Sequence, residues 1–165
     1  MKQYLVVRIL IKDGDNEIHS IEYFDELHKA EQRYFAIIGA DINGQDTIYN
    51  AAFIIDRDGN MVRNEINDIR EQKDKFYIVV RFFFKNDKYY NSIQYYPVDY
   101  DNPYESYKTA LQRWFNIIAA DLNDKDITAN GAFIIDSASG DITDGRTFYI
   151  EDENNYDDNQ EGDEE

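Results

Sequence analysis

From Gln3 to Lys12 apolar and polar positions alternate. Leu5, Val7, Ile9 and Ile11 fall on one side of an extended chain, and Tyr4, Val6, Arg8, Leu10 and Lys12 on the other. Successive side chains of a strand point to opposite faces, so the segment reads as a strand with one dry and one mixed face. Asp13-Gly14-Asp15-Asn16 supplies turn chemistry, and a second strand is expected from about Ile18 to Phe24. The period then changes. Leu27, Ala30, Tyr34, Ile37 and Ile38 recur at spacings of three and four, which predicts an amphipathic helix capped near Asp25 and ending near Asp41-Ile42-Asn43. A third strand carries Ala52-Phe53-Ile54-Ile55 and closes on the turn Asp56-Arg57-Asp58-Gly59.

The same pattern then returns. Tyr4-Leu5-Val6-Val7-Arg8 reappears as Tyr77-Ile78-Val79-Val80-Arg81, and Asn50-Ala51-Ala52-Phe53-Ile54-Ile55-Asp56 as Asn130-Gly131-Ala132-Phe133-Ile134-Ile135-Asp136. Between them lie a strand from Phe76 to Lys85 with dry face Ile78, Val80, Phe82 and Phe84, a turn at Asn86-Asp87, and a strand from Tyr90 to Tyr96. A helix opened by Asn102-Pro103 follows, with the stripe Tyr107, Ala110, Trp114, Ile117 and Ile118. This predicts an α+β fold: a tandem duplication of a strand-strand-helix-strand unit, arranged as two-layer, antiparallel-rich sheet with two helices about a pseudo-twofold. Residues 1–62 form the first repeat, 63–75 a mixed-charge connector, 76–150 the second repeat and 151–165 a tail. Equivalent residues are 72 apart at Ser20 and Ser92 but 80 apart at Leu27 and Tyr107, so the second copy carries an eight-residue insertion containing Val98 to Tyr104.

With the helices expected on the dry faces, the mixed faces need an explanation. Tyr4, Val6, Arg8 and Leu10 with Tyr77, Val79, Arg81 and Phe83 are too apolar for a surface that meets only water. Either the two halves cover these faces for each other, or a partner does. Tyr4, Arg8, Tyr77, Arg81 and Phe83 are therefore candidate contact residues, since Tyr and Arg are enriched at binding hot spots.

Charge sharpens the choice of partner. The formal net charge is −17, and nine of the acidic residues lie in 151–165, where there is no basic one. Such a segment cannot bury enough apolar surface to offset its ordering entropy; it is expected to be disordered and either to solubilise the chain or to dock on a basic surface. Glu151, Asp152, Glu153, Asp157 and Asp158 join the candidates, as do Asp99, Tyr100, Asp101 and Tyr104 of the inserted loop. A basic surface is what phosphate contact requires, so direct nucleic-acid binding is not expected. No secretory leader or membrane span is anticipated, which favours the cytoplasm or a particle assembled there.

Material for catalysis is sparse. There is no cysteine, and His19 and His28 lack counterparts in the second copy. Asp41 and Asp121, Asp46 and Asp126, and Asp56 and Asp136 recur, yet their spacing does not make an EF-hand loop, and Asp at such places makes turns. No cofactor is expected. The leading expectation is a non-enzymatic acidic module occupying a basic protein surface, as an inhibitor or nucleic-acid mimic would. The alternative is a structural or assembly subunit, for example of a phage virion, that self-associates through its sheet face and docks its tail. An Asp-dependent metal enzyme is the third.

Overall fold

The alternating segments become strands and the three-and-four-spaced segments helices. A computed structural model describes residues 3–14, 16–70 and 74–149. The order is β1 (Tyr4–Lys12), β2 (Asn16–Phe24), α1 (Leu27–Ile42), β3 (Thr47–Asp56), β4 (Met61–Asp68), β5 (Phe76–Lys85), β6 (Lys88–Pro97), α2 (Pro103–Asn123), β7 (Ile127–Asp136) and β8 (Ile142–Tyr149). Two antiparallel sheets result, ordered β2-β1-β3-β4 and β6-β5-β7-β8. Their registers match: Arg8 lies opposite Ala52 and Arg81 opposite Ala132, with an irregularity at Ile11/Lys12 and again at Phe84/Lys85. The fold is α+β with two similar sheet units.

Each unit has one strand more than the pattern predicted. β4 occupies much of the expected connector, and β8 follows the turn after β7. Both are edge strands, paired only with the third strand of their unit. An edge strand needs few apolar residues. In β4 only Met61 and Ile66 reach the core, while Arg63 and Glu65 stay exposed, so by composition the segment reads as a connector too charged for the core.

The two faces are covered the opposite way round from the expectation. The dry faces meet each other: Val7, Ile9, Phe53 and Ile55 pack in one cluster with Ile78, Val80, Phe82, Phe133 and Ile135. The mixed faces carry the helices. Tyr4, Val6, Ala52 and Ile54 lie under Ala30, Tyr34 and Ile37 of α1, and Val79, Ala132 and Ile134 under Ala110, Ile117 and Ile118 of α2. Each unit is thus a helix on a sheet, and the units stack sheet to sheet, giving four layers. The arrangement has a physical cause. A wholly apolar face is satisfied by another apolar face, whereas the face containing Arg must find an acceptor.

Candidate protein-binding surface

The acceptor comes from the helices. Arg8 Nε and Nη2 reach the two carboxylate oxygens of Asp41 at 2.8 and 2.5 Å. Arg81 makes the same forked pair with Asp121, to which Asn130 Nδ2 adds a hydrogen bond at 3.0 Å. Asp41 and Asp121 are 3% and 2% exposed, each near the C-terminal end of its helix. The pairing holds the Arg8 guanidinium above its ordinary pKa, chiefly through its hydrogen bond to Asp41. Arg8 and Arg81 therefore fasten helices to sheets, and the expectation that they present an open contact face is corrected. Tyr4 is buried on the same face, Tyr77 packs against the Tyr107 ring, and Phe83 stacks on the Tyr90 ring and contacts the Arg81 guanidinium.

The other recurring acids also work locally. Asp56 Oδ1 accepts the backbone N–H of Asp58 and Asn60, and Asp136 Oδ1 that of Ala138. Asp126 donates its backbone N–H to Asp124, whose carboxylate is held below its ordinary pKa by the Lys85 ammonium. His19 and His28 are exposed, the latter 3.2 Å from Glu26. Among the described residues no three Asp, Glu or His side chains converge as a metal-ligand set, and no helix is long and apolar enough to cross a membrane.

The inserted loop lies beside the start of α2. Asp99, Tyr100, Asp101 and Tyr104 are all exposed, Tyr104 by 70%. The loop is anchored rather than free: Val98 is buried, Val98 N donates to Lys75 O at 2.9 Å, and Lys75 N donates to the Tyr100 hydroxyl at 2.9 Å. Asp99 Oδ1 accepts the Asp101 N–H, which leaves an acidic, tyrosine-bearing knuckle at the head of the helix. Glu151, Asp152, Glu153, Asp157 and Asp158 lie outside the described residues.

Two pairs of exposed apolar side chains on the helices fall outside the stripes that the pattern marks. Phe35 and Phe115 are each 57% exposed, and Ile42 and Leu122 are 52% and 45% exposed. These are equivalent positions of α1 and α2, 80 residues apart like the helix stripes. α1 packs chiefly on β3 and β1, and α2 on β7 and β5, so the outer flank of each helix stands clear of the core. Phe35 borders a shallow groove with Val62, Asn64 and Glu65 of β4. Arg63 lies 5.8 Å from the Phe35 ring centre and binds Glu31. The signal was available in the sequence as a recurring Phe one residue beyond the core position Tyr34 or Trp114.

Comparison with known proteins found no matching family model, no similar curated protein and no similar solved structure.

Proposed function

We propose that this chain is a non-enzymatic acidic protein-binding module that occupies a basic surface of a partner, in the manner of an inhibitor or nucleic-acid mimic. The observation that carries the reading is the internal pairing of nine of its 17 cations. Arg8, Lys29, Arg33, Arg63, Arg70, Lys75, Arg81, Lys85 and Lys108 each have a carboxylate within salt-bridge distance. The total of 34 acidic against 17 basic residues therefore leaves an outward field set by carboxylates. Such a field speeds encounter with a basic surface and repels nucleic acid. The alternative of an assembly subunit would have to use the acidic tail or a surface other than the mixed sheet faces, which lie under the helices.

Salt and truncation test the proposal. The immobilised full chain should retain basic proteins from its native source at about 0.05 M salt and release them near 0.5 M, where the screening length falls to about 4 Å. A chain ending at Ile150 loses nine carboxylates and should bind about tenfold more weakly. Retention that is indifferent to salt, or confined to neutral and acidic proteins, would overturn it.

A further inference from the structure

Phe35 with Ile42, and Phe115 with Leu122, stand seven residues apart, two helical turns or about 10.5 Å on one flank. Between them lie Gly39 and Ala119, both exposed; a Cβ built at Gly39 would meet nothing within 4 Å. Each flank is therefore knob, hollow, knob, the relief into which a helix of a second molecule packs its own ridge. The hydrophobic effect disfavours this arrangement unless something covers it, since a Phe left 57% exposed forgoes about 1 kcal/mol of burial. Some neighbouring outward positions differ between the copies, His28 against Lys108 and Ala36 against Asn116, while Gln32 and Gln112, Ala40 and Ala120, and Asn43 and Asn123 are kept along with the two apolar knobs.

Charge selects the occupant. Around α1 the cations Lys29, Arg33 and Arg63 are held by Glu26, Glu22 and Glu31, while Asp25, Asp46 and Glu65 are exposed. Around α2, Lys108 and Lys85 are held by Glu105 and Asp124 and Arg113 donates to Gln94, while Asp99, Asp101 and Asp126 are exposed together with one cation, Lys125. Among the described residues, exposed acids thus outnumber exposed unpaired cations around both helices. A second copy would bring a formal charge of −17 against another −17. We infer that the outer flanks of α1 and α2 are two equivalent docking sites, each taking a basic amphipathic helix of a partner, so that one chain binds two such helices. The inference rests on the acidic-module reading and adds to it a surface, a partner conformation and a stoichiometry.

The test uses the full chain and two synthetic peptides of one Leu/Lys composition, about 18 residues or 27 Å long as helices. In one the Leu residues line one helical face, and in the other they are scrambled around it. Titration calorimetry with native mass spectrometry should give two amphipathic peptides per chain, bound at least tenfold more tightly than the scrambled one. Phe35→Ser and Phe115→Ser should each reduce the number to one, and the double variant should bind both peptides alike, with melting temperatures lowered only slightly because each ring is more than half exposed. Equal binding of the two peptides to the unaltered chain overturns the inference and leaves the acidic-module reading standing. Failure of both peptides to bind at low salt overturns that reading and the inference with it. Dimers of the chain alone that either Ser variant dissolves would make a second copy the occupant, and overturn it too.

Discussion

The two halves solve the same packing problem with different residues. In the first unit Ile9 lies opposite Ala51; in the second, Phe82 lies opposite Gly131. Both pairs face the layer between the sheets, and a Cβ placed on Gly131 would overlap the Phe82 ring, which stacks on Phe133 with centroids 6.3 Å apart. The larger ring is thus accommodated by the loss of a methyl group across the strand pair. Glycine inside a strand is ordinarily a weakness, so alanine there would stabilise if space allowed. Here Gly131→Ala should instead destabilise by about 1–3 kcal/mol, the usual cost of overpacking. Adding Phe82→Ile installs the first unit's own pair and should recover most of the loss, as read from urea unfolding midpoints. The sequence aligned Gly131 with Ala51 but did not connect it to Phe82, because cross-strand register is set by pairing and not by position along the chain.

At the level of elements, the chief surprise is where each helix is held. Asp41 and Asp121 sit in the last turn of α1 and α2, where a negative charge opposes the helix dipole. The forked pairs with Arg8 and Arg81 offset this and seat the helix ends on the sheets. Removing one partner of a buried pair leaves an uncompensated charge, so Arg81→Ala should cost about 3–5 kcal/mol. Arg63→Ala, which breaks an exposed pair with Glu31, should cost under about 1 kcal/mol by the same denaturant measurement. A small loss for Arg81→Ala would show that the pair does not secure the helix. All three recurring polar types, Arg, Asp and Asn, were visible in the sequence. The letters alone suggest a contact residue for Arg and a turn former for Asp, because Arg8 and Asp41 lie 33 residues apart and Arg81 and Asp121 lie 40 apart. The edge strands β4 and β8 escaped notice for a related reason: a strand with one partner and one wet side carries too little apolar alternation to register.

For the whole molecule, the layer between the sheets decides whether the halves are separable. Fifteen buried residues from both sheets form that cluster, and exposing them at about 1.5–3 kcal/mol for each large side chain would exceed the net stability of a typical domain. The two repeats should therefore unfold together. Trp114, the single tryptophan, reports on the second half alone, whereas far-ultraviolet circular dichroism reports on both. The two signals should give coincident urea transitions, and a fragment of residues 1–70 should be unfolded by itself. Separate midpoints, or a folded fragment, would show that each repeat carries its own stability.

Local periodicity is enough to establish the duplication, the α+β class, and the first three strands and the helix of each unit, and composition is enough to establish the charge imbalance. Period two and period three-to-four are properties of neighbouring residues, and a repeat is visible in the letters alone. Alternation defines two faces of a strand without saying what covers either, so the fold alone turned the dry faces toward each other and the Arg-bearing faces toward the helices. Helical spacing likewise cannot separate a core stripe from its flank. Phe35 and Phe115 became surface residues only when the helices settled over the central strands, and that placement is what makes the outer flanks the candidate contact surface.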